Sequence, residues 1–410
     1  MISDVAIIGS ELDAFIASIR LKEFGHTANI ISNGKGSYLY SSGNIKILDC
    51  EYAENKATIL NPFSYINKLA NNHPYNLIGQ DNVYESIQWF FNNNFLQSLN
   101  YSFTEENTFT LSPIGIKIPS YALYHKQINY KSLYKKNISI VNFNNLKDFH
   151  PNLIAKSLKK HVNSLDIIDF SPPDITKHSE NSSIALSFDR SGELEKYFFQ
   201  LKKKLDNKSS IIIFPAVLGI DNYIQVIEIA EKILNKKCFE APTLPPSIPG
   251  IRLNKLLEKE VLKYNDIYRG ANIGQAKIEN NKCLFVLDNF GRKITAKAFI
   301  FANGGVLMGG LKVNDKGIII EKICNSKVFQ QNPMNASKSH EALSALQISG
   351  VIVDKNLKPL NQKGDIIENV FFTGRNLSNW NPSLESSSDG VSIASGWHSA
   401  NSAAEYLKNK

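Results

Sequence analysis

Gly9, Glu11 and Ala14 stand at the three marked positions of a G-x-G-x-x-G/A turn. In such a turn the first glycine bends the chain tightly, the second lets a pyrophosphate approach the backbone, and the third residue lets helix and sheet pack closely. Gly9 and Ala14 meet the first and last requirements. Glu11 puts a negative side chain where phosphate should pass, and Asp13 adds a second charge. The turn therefore has two readings: an amide cradle for a nucleotide, or a fold that has kept its shape and loosened its ligand. Two other side chains carry chemistry of their own. His73, in His73-Pro74-Tyr75, is suited to proton transfer or to capping a helix. Arg252, in the proline-loaded stretch 241–253, is expected to open the next helix and is either a fork for phosphate or carboxylate or a surface residue at a hinge.

The turn belongs to a βαβ unit. Asp4-Val5-Ala6-Ile7-Ile8 is an apolar, β-branched run, the pattern of a buried parallel strand. Leu12, Phe15, Ile16 and Ile19 then recur at helical spacing, Gly25 stops the helix, and Ala28-Asn29-Ile30-Ile31 reads as a second strand. The loop after it, Ser32-Asn33-Gly34-Lys35-Gly36, lacks the acid that usually holds an adenosine ribose. That omission argues against NAD and against a conventionally held FAD, and agrees with FMN or with no ligand. Ser41-Ser42-Gly43 is small and polar, as in the loop under a flavin ring or in a simple turn.

Residues 81–250 leave this rhythm. Strand patterns at 109–118, 138–141 and 211–215 alternate with helical ones at 146–162 and 223–234, which predicts an inserted α/β cap with its own core. The rhythm returns at 251. Ala298 to Gly305 is a buried strand ending in glycines, and Phe371-Phe372-Thr373-Gly374-Arg375 brings a further strand back. Gly390 and Val391 open a C-terminal helix whose positive end would face a flavin carbonyl or phosphate. The expected fold class is α/β: a discontinuous Rossmann-like FAD/NAD(P)-binding domain of the two-dinucleotide-binding flavoprotein type, residues 1–80 and 251–410, with 81–250 inserted.

Composition narrows the function. The 410 residues are 43% hydrophobic and 20% charged, ordinary for a globular chain. The formal charge is +8, but the lysines are scattered along the sequence and no RNA or DNA motif appears. A residue bias is the favoured reading, with attraction to an anionic membrane face or an acidic partner second. There is no 18-residue apolar run and no basic signal-peptide start, which predicts a cytosolic, non-spanning chain. Cys50, Cys238, Cys283 and Cys324 are far apart, so an iron–sulfur cluster, a zinc site or a disulfide framework is not expected. Electrons passing through this chain need an organic carrier.

Several motifs together resemble one family, the B subunit of the bacterial anaerobic glycerol-3-phosphate dehydrogenase. They are Y-S-S-G at 40–43, H-P-Y-N-L-I-G at 73–79, S-P-I-G at 112–115, L-K-D-F at 146–149, F-P-A-V-L-G at 214–219, P-T-L-P-P-S at 242–247, G-I-R-L at 250–253 and G-G-L at 309–311. The match runs nearly end to end. The resemblance implies one component of a complex that oxidises sn-glycerol 3-phosphate to dihydroxyacetone phosphate. It implies an FAD-containing A subunit, an iron–sulfur C subunit that passes electrons to a quinone, and attachment to the inner membrane through those partners. The B subunit itself is assigned noncovalent FMN. On that basis Gly9 and Ser10 would sit at the first helix, Ser41, Ser42 and Gly43 under the ring, and Gly304, Gly374, Gly390 and Val391 around the remainder. His73 and Arg252 would be the side chains nearest to substrate chemistry. The departures are Ser10, Glu11 and Ala14, where the family has glycines, and Asn376-Leu377 with Glu385 to Asp389, where it has glycine-rich runs. Two alternatives from other classes remain: a scaffold subunit that has lost its flavin, and a stand-alone flavin oxidoreductase.

Overall fold

A computed structural model describes residues 2–50, 57–144, 146–171, 179–331 and 339–409. The chain opens with β1 (Ile2–Ile8), α1 (Leu12–Glu23) and β2 (Ala28–Ser32). Val5 to Ile8 are buried, as a strand covered on both faces requires. Gly9 then turns with φ +123°, and a Cβ there would run into the Ala302 carbonyl, so glycine alone fits. The Gly25 N–H bonds the Lys22 carbonyl and closes α1.

After the helices α2 (Pro74–Ile78) and α3 (Gln80–Phe91) come the hairpin strands β3 (Ser102–Leu111) and β4 (Lys117–Leu123). Then β5 (Asn137–Asn142), α4 (Pro151–Leu158), β6 (Ser164–Asp169), α5 (Asn181–Arg190), α6 (Leu194–Lys202), β7 (Ile211–Pro215), α7 (Tyr223–Leu234) and β8 (Lys237–Ala241) alternate. The helix α8 (Ile248–Val261) leads to β9 (Ile267–Arg269), β10 (Ile273–Glu279), β11 (Lys282–Asp288), β12 (Lys293–Phe301), β13 (Lys312–Val313), β14 (Ile319–Ile320), β15 (Val370–Phe372) and the long α9 (Ser388–Lys408).

These elements form two compact units, one of residues 1–37, 46–95 and 256–410, the other of 38–45 and 96–255. In the first unit the strand order is β10-β11-β12-β1-β2-β9, with β15 also paired to β12. β1 lies parallel to both β2 and β12, in register Ile8↔Ile31 and Ile8↔Phe301. β11 pairs the start of β12 antiparallel and β15 pairs its end in parallel, so β12 serves two neighbours along its length. The helix α9 packs on α1, burying Val391, Ile393, Ala394, Ala400 and Ala403.

The second unit holds the β3–β4 hairpin and a four-stranded parallel sheet ordered β6-β5-β7-β8. Ile211 to Phe214 in β7 are buried, the continuous apolar run of a central parallel strand. Among the described residues no helix is long and apolar enough to cross a membrane.

Close approach of α9 to α1 depends on Gly396, where a Cβ would lie 2.6 Å from the Asp13 carbonyl oxygen. Gly396→Ala should lower stability by about 1–2 kcal/mol, overpacking outweighing alanine's better helix propensity. Gly192→Ala, with nothing near its Cβ, should leave it within about 0.5 kcal/mol. Urea denaturation midpoints of the two variants check this, and equal midpoints would refute the packing account.

Candidate functional site

The first unit carries a cleft of about 490 Å³ at the carboxyl ends of β1 and β2, within the usual size of a ligand site. Gly9, Ser10 and Glu11 form one wall, and Asn33, Gly34, Lys35 and Gly36 another. Asn272, Asn303, Lys312 and Lys322 contribute from later strands and loops. An open parallel sheet puts its ligand in this position because strand ends and helix N-termini present free backbone groups there.

The turn is fastened to the loop that follows β2. Ser10 Oγ donates to the Gly34 carbonyl at 2.7 Å, and Gly36 lies so close to the Ser10 carbonyl that a Cβ would collide with it. Glu11 is the N-cap residue of α1, yet its side chain does not cap the helix. Its carboxylate instead accepts from Ser37 N at 2.8 Å and from Ser37 Oγ at 2.7 Å. Among the described residues the Glu11 and Leu12 amides therefore have no protein acceptor. Asn303 Oδ1, an acceptor, is buried there without a partner. Free amides at the head of a twelve-residue helix and three lysines make a donor set suited to a diphosphate. The cradle fits the nucleotide part of a flavin dinucleotide. Glu11 keeps its charge, but its carboxylate is fixed on Ser37 by two hydrogen bonds rather than left free in the turn.

Asp13, two residues on in the first turn of α1, is buried, with Oδ2 accepting from Thr373 Oγ1 at 2.5 Å and Oδ1 unpartnered. Loss of solvent, and to a lesser degree the Glu11 charge, raises its carboxyl to about 7 against the pull of the Thr373 bond. The same carboxylate occupies the place that a Cβ at Gly374 (φ +57°) would need.

The residues singled out from sequence fall in different places. Gly9 and Ser10 line the cleft. Gly304 stands near Glu11, where a Cβ would lie 3.5 Å from Glu11 Cγ. Gly374 is backed by Asp13. Gly390 packs where a Cβ would strike the Tyr75 hydroxyl, which itself donates to the Ile47 carbonyl at 2.6 Å, and Val391 is fully buried. Ser41, Ser42 and Gly43 belong to the second unit. There Ser42 Oγ donates to Asn44 Oδ1, and Gly43 N donates to Ser41 Oγ at 3.2 Å.

His73 is the N-cap of α2: its Nδ1 accepts from Tyr75 N at 3.1 Å. The ring proton then sits on Nε2 and is donated to Glu385 Oε2 at 3.0 Å, so both nitrogens are engaged. Arg252 does not open its helix but sits in the second turn of α8, 2% exposed. Its two terminal nitrogens meet Glu240 at 2.6 and 2.9 Å, and Nε donates to the Gly219 carbonyl at 2.8 Å. Its charged face lies 4.1 Å from the Tyr223 ring centroid.

The sequence reading passed over Lys35, Asn303, Lys312 and Lys322. Lys35, between two glycines at a strand end, was within reach of motif reasoning. Lys312 and Lys322 carry no local signal, because only the tertiary fold brings them to the cleft at the end of β1.

This is the arrangement of a flavoprotein nucleotide fold, and comparison with known proteins agrees: residues 4–387 match the FAD binding domain family, to which the chain belongs. The chain is similar to the B subunit of the anaerobic glycerol-3-phosphate dehydrogenase of Aliivibrio fischeri strain MJ11, 23% identical over 99% of this chain and 96% of that protein. It is also similar to the protein of the same name from Mannheimia succiniciproducens, 26% identical over 92% of this chain and 93% of that protein. The resemblance noted from sequence motifs is thus met over nearly the whole length. Among solved structures, the 3-ketosteroid Δ1-dehydrogenase of Sterolibacterium denitrificans covers 98% of this chain and 99% of its own, at 10% identity and a TM-score of 0.46.

A carboxyl raised to about 7 gives a definite pH dependence. Between about pH 4 and 7 folded Asp13 keeps a proton that the unfolded chain has released, so its effect is stability that declines as pH rises through that window and levels off above it. Asp13→Asn should remove a slope amounting to a few kcal/mol in all. Urea unfolding of both proteins at pH 5 and pH 8 measures the difference. Identical slopes would mean that Asp13 is ionised throughout.

Proposed function

We propose that this chain is the flavin-binding B-type component of a glycerol-3-phosphate dehydrogenase complex, oxidising sn-glycerol 3-phosphate to dihydroxyacetone phosphate and delivering electrons to a quinone. The observation that carries the reading is the lysine-lined cleft facing the uncapped head of α1. FAD is the preferred flavin. The lining runs past the α1 turn to Asn33 and Asn272, a stretch that an FMN, ending at its phosphate, leaves empty. When bound, the flavin supplies reversible acceptance of electrons.

The chain's own residues grip and shield. Lys35, Lys312 and Lys322 neutralise phosphate charge, the Glu11 and Leu12 amides donate to it, and Asn33 and Asn272 stand in for the missing ribose acid. Proton abstraction from the substrate is assigned to a partner chain, because His73 and Arg252 are both engaged inside the fold. The names of the relatives support a multi-chain setting. Widely spaced cysteines support iron–sulfur centres, where needed, on another chain. Attachment to the inner membrane would then come through those partners.

The test is the flavin released by denaturing the protein purified with its neighbours, together with FAD and FMN titration of the chain alone. FAD should bind, and Lys35→Glu with Lys322→Glu should weaken it by tenfold or more, each charge-assisted contact being worth roughly 1.5 kcal/mol. Preferential FMN binding would overturn the dinucleotide assignment. No flavin binding at all would leave a scaffold.

A further inference from the structure

Seven of the lysines scattered along the sequence come together at one edge of the second unit's sheet. Its four-stranded sheet is parallel throughout, so every loop leading into a strand arrives at the same edge. The first residues are in register: Asn137 pairs with Ser164, Ile138 with Ile211, and Ile211 with Lys237. Each of these four loops carries lysine. Lys135-Lys136 precede β5, and Lys159-Lys160 open the five-residue loop between α4 and β6. Lys208 comes before β7, and Lys236-Lys237 enter β8. Backbone bonds hold the loops together along that edge: Lys135 N donates to His161 O, Asn163 N to Lys136 O, and Ser210 N to Asn137 O.

These side chains are open. All but Lys236 are exposed, and among the described residues none of them is in an ion pair. Lys236 alone is spent, donating to the Ser209 and Asn207 carbonyls. The one acid within these loops, Asp206, accepts from Lys208 N at 3.1 Å. Glu231, at the end of α7, is held by Lys126 and by Cys238 N. Tyr134 stands among the lysines at 56% exposure with the Lys135 ammonium 5.3 Å from its ring centroid.

We propose that this edge of the second unit binds directly to the surface of an anionic lipid bilayer. Four strands at about 4.8 Å spacing give a face about 14 Å wide, enough to span several headgroups. Its charges are all ammonium, not guanidinium. Ammonium groups on flexible stems suit a plane of mobile phosphates, whereas nucleic acid or a shaped acidic protein is read by arginine forks and fitted pockets. The exposed tyrosine supplies the amphipathic ring typical of the headgroup layer. Contact with the membrane would then be a property of this chain itself, whatever partners contribute, and independent of the flavin reading.

Sedimentation of the full chain with vesicles tests this. It should bind vesicles of 70% phosphatidylcholine and 30% phosphatidylglycerol at about 50 mM salt, be released at about 500 mM as charges are screened, and ignore pure phosphatidylcholine. Changing Lys135, Lys136, Lys159 and Lys160 to Glu should cut binding by more than tenfold with an unchanged circular dichroism melting curve; the same four changed to Gln should give an intermediate loss. A control with the same net charge, Lys316→Glu, Lys355→Glu, Lys363→Glu and Lys408→Glu, should bind within about threefold of the parent. No binding to the anionic vesicles, an equal loss in the control, or stronger retention on duplex DNA at matched phosphate and salt would each overturn the proposal.

Discussion

The backbone of Gly9 lies against the carbonyl of Ala302, and no side chain fits between them. That contact lets β1 and β12 end side by side, Ile8 opposite Phe301, and it sets where α1 begins. Because both strands point the same way, their ends and the head of α1 open to one side of the sheet. The cleft exists there as a consequence of strand direction and helix polarity, before any side chain is chosen. What the side chains add is sign and selectivity. Three lysines make the opening attractive to phosphate, and two bonds from Ser37 fix where the Glu11 carboxylate sits in the turn.

Within each unit, several charged side chains taken out of water are paired, and this decides which of them remain free to act. Thr373 holds Asp13, Glu385 holds His73, and Glu240 holds Arg252 in a two-pronged bond. A charge or dipole in the interior costs several kcal/mol unless matched, so these pairings are conditions of folding. They leave the two side chains with the most obvious catalytic chemistry, His73 and Arg252, without a free hand. Gripping a cofactor asks for less: amides, ammonium groups and shape, all of which the first unit offers at its strand ends.

How much of this was legible depends on the range of the interactions involved. The βαβ opening, the strand ending at Ala302 and the alternation of the inserted region were visible because periodicity and glycine placement are local signals. The FAD binding domain family match covers the same span. Gly374 and Gly390 looked like cofactor glycines, but one makes room for Asp13 and the other for Tyr75. Those partners are hundreds of residues away in sequence, beyond any motif. Arg252 announced a charge but not its partner, since no motif links it to Glu240, twelve residues earlier in β8. The lysines before β5, β6, β7 and β8 looked scattered for the same reason. Each is unremarked in its own loop, and only the parallel topology makes them neighbours.

The two acids at the start of α1 show how a worn motif can still serve. A glycine at position 11 would leave the turn neutral, whereas the glutamate at that position clamps the loop 34–37 onto it through Ser37. Asp13 faces inward and is carried mostly as the neutral acid only below about pH 7, where little of its charge reaches the helix head. The helix therefore keeps most of the positive end that its aligned peptides create, and the clamp gives the cleft a firm wall. Substitutions that look like erosion from the sequence are, in the fold, an exchange of bare backbone for a fastened loop.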